Sequence, residues 1–434
     1  MSTADIQALT TSQIVALATT DMAALTTTQI SALTTTQVAV IETRDLAVLT
    51  TAQISAGFTT AQIAALTTNQ ISALSTGQTA SLTTQQVAAI STADLAAMKT
   101  SQIAALTTNQ VANGLTTNQI VALTTAQAAS LTTAQASSLT TSQVAALETR
   151  DLVAMKTSQI QALSTTQISA GLTTAQVASL TTAQVAALTT NQVANGLTTN
   201  QIVALTTSQA GALTTAQASS LTTQQVAAIE TNDLAAMKTS QIAALTTNQV
   251  ANGLTTNQIV ALTTAHAAAL TTAQTAALTT NQVAALETRD LVAFKTSQIQ
   301  ALTTAQISAG LSTSQVASIT TAQIAALTTN QVVNGLTTNH IGALTTNQAA
   351  ALTTAQASSL STQQVAAIST NNIAALKTNQ IAALTTNQVA NGLTTNQIVA
   401  LTTSQAGALT TAQTSSLTTN QVAALETRDL VALK

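Results

Sequence analysis

From Leu9 to Leu433 the chain repeats one phrase, Leu-Thr-Thr-x-Gln-(Ile/Val)-x-Ala, 52 times, in 44 units of eight residues and 8 units of nine. A unit this small cannot bury a core alone, so it must stack on its neighbours. In the type unit Leu9–Leu17, Thr10 and Gln13 have the spacing of a capping box. The threonine hydroxyl can accept from the backbone N–H of the third helical residue while the glutamine amide reaches back to the cap. Ile14 and Leu17 are three apart and share a helical face, with the helix former Ala16 beside them. A helix of about six or seven residues does not persist alone in water. The pattern therefore predicts an all-α solenoid: a superhelical coil of very short helices, one per unit, each held by those before and after it.

A single continuous helix fits poorly, because eight residues advance the apolar stripe about 80° too far around the axis in every unit. A β-solenoid is the alternative reading. Thr, Ile and Val suit strands, but the unit's Leu and its Ile/Val are five apart and face opposite ways unless a turn intervenes.

All eight long units gain a glycine: Gly57, Gly114, Gly171, Gly196, Gly253, Gly310, Gly335 and Gly392. Five read Asn-Gly-Leu, as in Asn113-Gly114-Leu115, which predicts a left-handed residue ending each helix and a wider corner. The glycine units are separated by 7, 7, 3, 7, 7, 3 and 7 units, giving a superrepeat of 139 residues, or 17 units. Acidic units keep the same rhythm, at Asp94, Glu148 with Asp151, Glu230 with Asp233, Glu287 with Asp290, and Glu426 with Asp429. So do neighbouring units with a small residue in the Ile/Val slot, such as Ala128 with Ala136, Ala210 with Ala218, and Ala267 with Thr275. Intervals of 3, 7, 10 and 17 units are near-multiples of about 3.4, so a coil should take about 3.4 units, or roughly 28 residues. The small residues either thin a wall for close approach by another chain or fit a narrow part of the lumen.

No change of composition marks a domain boundary, and residues 1–434 read as one continuous array. Residues 1–148 form an irregular first superrepeat, 149–287 and 288–426 are regular ones, and 427–434 begin the next, with Lys434 in the slot of Lys156.

Function classes are excluded mainly by what the chain lacks. With no Cys there is no disulfide or thiolate chemistry. Charged residues are 5% of the chain and the formal charge is −3, so no basic stripe is available for nucleic acid. Threonine pairs break every apolar run before it reaches membrane-spanning length, and Met1–Ala8 lacks the regions of a signal peptide. His266 and His340 replace the capping glutamine 74 residues apart and gather no co-ligands. In Glu148-Thr149-Arg150-Asp151, Glu148 takes the cap slot and Asp151 the glutamine slot, so helix-start electrostatics and a Glu148–Lys156 pair account for them. The sequence therefore predicts no catalytic, cofactor-binding or metal site, and no enzyme. Exposed threonine pairs leave ice binding as a minor alternative.

The octad resembles the Leu-Thr-x-x-Gln-(Ile/Val)-x-Ala-Leu tracts of very large bacterial surface proteins, often labelled adhesin or haem-utilisation. That resemblance covers the chain from Leu9 and implies a structural role at the cell surface, without assigning any functional residue. Leu115–Leu123 also resembles the first helix of transcription activator-like effector repeats, but the 34-residue period, base-reading pair and basic charge are missing. The resulting expectation is a structural protein that assembles head-to-tail with itself into an extracellular or cell-surface filament. The alternative is a stalk or adhesin-type module whose Thr/Asn/Gln surface meets glycans or proteins.

Overall fold

The computed structural model describes residues 1–433; Lys434 lies outside the described residues. The chain is an all-α solenoid. Among the described residues there is no strand, only short helical segments of four to seven residues, one in each unit. The β-solenoid alternative is thereby overturned, because capping chemistry recurs often enough to restart a helix in every octad.

A typical unit shows how. Thr140 is extended at φ −72°, ψ 161° and caps the helix Thr141–Ala146; Leu147 is again extended at φ −61°, ψ 129°. Two successive extended residues, Leu then Thr, make each corner, and neither needs a special conformation. Accordingly no described residue, glycine included, has positive φ. The leucine N–H closes the helix with a tight last turn, as from Leu147 to the Val144 carbonyl at 3.2 Å, which satisfies one carbonyl the helix end leaves open.

Contacts divide the chain into two compact units, Met1–Ser220 and Leu221–Lys434. Within each, every helix packs against the third helix before it and the third after it. In the first unit, Thr125–Ser130 lies between Thr100–Ala105 and Thr149–Ala154; in the second, Thr354–Ser359 lies on Thr378–Ala383. The core is the ladder of Ile/Val and Leu side chains, such as Ile103, Leu106, Val144 and Leu147 in the first unit and Ile324, Leu327, Val365 and Ile368 in the second. Fully burying each such side chain contributes about 1.5–3 kcal/mol, which offsets the cost of ordering a helix too short to form alone. Ala128, Ala136, Ala210, Ala218, Ala267 and Thr275 are buried as well. These small residues therefore face the core in the Ile/Val slot.

The eight glycines do not end helices in a left-handed turn; Gly253, for example, sits at φ −102°, ψ −48°. The ninth residue instead widens the last turn. The N–H of the following leucine reaches five residues back to the glutamine carbonyl, as from Leu115 to Gln110 at 2.9 Å and from Leu254 to Gln249 at 3.0 Å. Five of these units, ending at Gly57, Gly171, Gly196, Gly310 and Gly335, are π-helical over their last five residues. Glycine is required for space: a Cβ at Gly171 would lie 3.0 Å from the Cβ of Val144, in the helix three units earlier.

Candidate functional site

The recurrent polar structure of this fold is the glutamine found in most units, which acts at one end of each of two helices. At Thr10–Gln13 the box is complete: the Gln13 N–H donates to the Thr10 hydroxyl at 3.3 Å, and the Thr10 N–H donates to Gln13 Oε1 at 2.8 Å. Ile14 is buried beneath it and Leu17 is half-buried. Further along the array the amide gains a second task. Gln135 Oε1 accepts from the Thr132 N–H at 2.8 Å, while Nε2 donates to the carbonyls of Ile103 at 2.8 Å and Leu106 at 2.7 Å. In the second unit, Gln356 Nε2 donates to Ile324 at 2.9 Å and Leu327 at 2.6 Å. The accepting helix lies four units back, and the acceptors lie 29 and 32 residues back in both cases.

A single buried amide therefore fills the open N-terminal end of its own helix and the open C-terminal carbonyls of a helix in the coil below. Helices that pack on the third neighbour and bond to the fourth belong to a coil of between three and four units, in line with the spacing read from the sequence. This second role is what sequence reasoning missed. Its signal was faint: glutamate, which serves a capping box as well as glutamine does, never occupies this slot, although the shorter aspartate does, as at Asp94 and Asp151. A carboxylate cannot donate to the two carbonyls.

The histidines satisfy the same geometry. His340 Nδ1 takes the Thr337 N–H at 3.2 Å and its Nε2 lies 2.9 Å from the Leu311 carbonyl; His266 Nε2 lies 2.8 Å from that of Met237. A neutral Nε2–H imidazole thus reproduces the glutamine amide. Burial pushes the His340 pKa below its usual value, against the hydrogen bond to Leu311.

The acidic units differ from expectation. Glu148 makes no side-chain cap bond; its carboxylate pairs with Arg150 Nε at 2.5 Å, and among the described residues no Glu148–Lys156 pair forms. Arginine is the nearer cation, one residue from Asp151 and two from Glu148, and its Nε also lies 3.8 Å from Asp151 Oδ1. Asp45, Asp151, Asp290 and Asp429 are fully buried in the glutamine slot. Among the described residues no three His, Cys, Asp or Glu side chains gather to hold a metal ion, and no helix is long and apolar enough to cross a membrane.

No curated protein sequence matches the chain. Among solved structures, the leucine-rich repeat-containing protein LegL7 from Legionella pneumophila is similar at 11% identity, covering 48% of this chain and 77% of that one, with a TM-score of 0.15. The family model of the ALTTAQ repeat matches residues 1–37, 38–76, 56–84, 87–125, 144–182, 170–195, 226–264, 256–288, 283–321 and 358–391. With most of its length matched in this way, the chain belongs to the ALTTAQ repeat family.

Proposed function

We propose that this repeat protein is structural and self-assembles head-to-tail into an extracellular or cell-surface filament. The observation that carries this reading is the sameness of the rungs. Any coil offers leucine carbonyls toward one side and glutamine amides toward the other, as Gln135 and Leu106 do, so a coil of one copy complements a coil of another. Such a contact is heterologous and does not close, hence it propagates. Negative-stain images of purified protein test it: long uniform fibres support assembly, and separate particles at all concentrations refute it.

A stalk or adhesin-type module is the second reading, favoured by exposed asparagine pairs. Asn113 Nδ2 donates to Asn109 Oδ1 and Asn252 to Asn248, each at 2.8 Å, which holds amides ready for glycan or protein contact. Binding to a glycan array by particles that stay separate would favour this reading over the filament.

A further inference from the structure

The Glu-Thr-Arg-Asp units place a carboxyl where the ladder requires a donor. Asp151 and Asp290 are 0% exposed, and neither oxygen of either carboxyl has a hydrogen-bond partner. The chain itself shows two partners for a side chain of this length in the slot: Asn372 Nδ2 donates to the Leu344 carbonyl, 28 residues back, at 2.7 Å, whereas Asp45 and Asp429 each accept with Oδ1 from a threonine hydroxyl 26 residues back and leave Oδ2 without a partner. By the register of Asn372, Asp151 faces the carbonyl of Leu123 and Asp290 that of Leu262. Two acceptors then oppose each other with no hydrogen between them. We propose that Asp151 and Asp290 close their coils as carboxylic acids, donating to the Leu123 and Leu262 carbonyls, so that these rungs tighten in acid and loosen when the carboxyls ionise.

The surroundings favour the proton. On the helix of Asp151 the ionisable neighbours are Glu148 and Arg150, whose Nε lies 3.8 Å from Asp151 Oδ1 and nearer to Glu148; Lys156 caps the next helix. The helices packed on it, Thr125–Ser130 and Thr174–Ser179, and Thr182–Ala187, whose Gln184 bonds the Leu152 carbonyl, carry no ionisable residue. Asp290 has Glu287 and Arg289 on its own helix, with Arg289 Nε at 3.9 Å, and Lys295 capping the next. Against it lie Thr313–Ser318 and, bonded through Gln323 to the Leu291 carbonyl, Thr321–Ala326, without ionisable residues, and Thr264–Ala269, which carries His266. Burial raises both carboxyls above their usual range; for Asp151 the Thr125 hydroxyl, beside it but outside hydrogen-bond geometry, and Arg150 oppose this, and for Asp290 Arg289 does.

A carboxyl whose folded pKa is raised contributes stability in acid, and that contribution is lost as pH rises from the unfolded value through the folded one. Each tenfold gain in proton affinity on folding biases the folding equilibrium tenfold. The test compares the full chain with its Asp151→Asn/Asp290→Asn variant by urea unfolding, followed by circular dichroism between pH 4 and 7.5. The wild-type midpoint should fall relative to the variant as pH rises, leaving the variant the more stable at pH 7; Asp151→Asn alone, whose packed helices carry no histidine, should show the same trend. Curves that run parallel, or a variant less stable at pH 7, would overturn the proposal. If the variant does not fold, NMR titration of wild type labelled at aspartate 13Cγ decides: aspartates that stay protonated after the exposed ones have ionised support it, and titration of all aspartates together refutes it.

Discussion

Gln135→Glu isolates the donor function of a rung, since glutamate keeps the shape and the acceptor role of glutamine. Its carboxylate can still accept from the Thr132 N–H, but the two bonds to Ile103 and Leu106 are lost. Each lost bond costs about 1 kcal/mol, and a buried charge facing two carbonyls adds a penalty, so about 3–5 kcal/mol of destabilisation is expected at pH 7. In acid the protonated side chain regains one donor, and the deficit should shrink to about 1 kcal/mol. Urea unfolding at pH 7 and pH 4, read by far-UV circular dichroism, measures both. A variant within about 0.5 kcal/mol of wild type at pH 7 is what an inert surface substitution gives, and would mean that the coil-to-coil bonds contribute nothing. A deficit unchanged between the two pH values would refute the donor argument.

Three further outcomes follow from the same geometry. Gly171→Ala should cost about 1–3 kcal/mol, because its Cβ would meet Val144 Cβ at 3.0 Å; combining it with Val144→Ala should relieve the clash, and additive losses in a double-mutant cycle would refute it. His340 has its pKa lowered by burial, so its contribution is complete above the unfolded value of about 6.5 and is lost as pH falls from there toward the folded value. His340→Gln should remove that loss, and equal acid sensitivity of the two proteins would count against the tautomer assigned. Ile103→Ala empties a fully buried site and should cost about 2–5 kcal/mol by thermal or urea unfolding; a loss below about 1 kcal/mol would argue against a packed ladder.

What could be read in the sequence was what is local or periodic. Thr10 and Gln13 announce a helix start within four residues, and the spacings of the glycine and acidic units carry the length of a coil without any structure. The misreadings concern contacts one coil away. Asn113-Gly114-Leu115 resembles a left-handed helix end when only neighbours in sequence are considered, yet Gly114 is small because Val87 and Thr84 lie within 3.1–3.3 Å of where its Cβ would be. Ala128 and Ala136 could equally face another chain or the lumen, and only their burial decides. The Glu148–Lys156 pairing failed because one unit of separation suggested adjacency, whereas Arg150 stands only two residues from Glu148 and pairs with it.

The fractional number of units per coil has a mechanical consequence. Within a compact unit, a helix such as Thr133–Ser138 packs on the third helix back, Thr108–Gly114, while its Gln135 bonds to the fourth, Thr100–Ala105. Each helix therefore rests across two helices of the coil below, as a brick rests across a joint, and no seam runs along the wall. Opening one helix exposes apolar side chains of one neighbour and strips the carbonyl bonds of another, which couples the rungs over several coils. With exactly three units per coil, both ties would fall on one helix, and columns could separate from each other. A designed array of uniform octads offset to three units should accordingly unfold with a shallower urea dependence than an array of the natural winding and equal length.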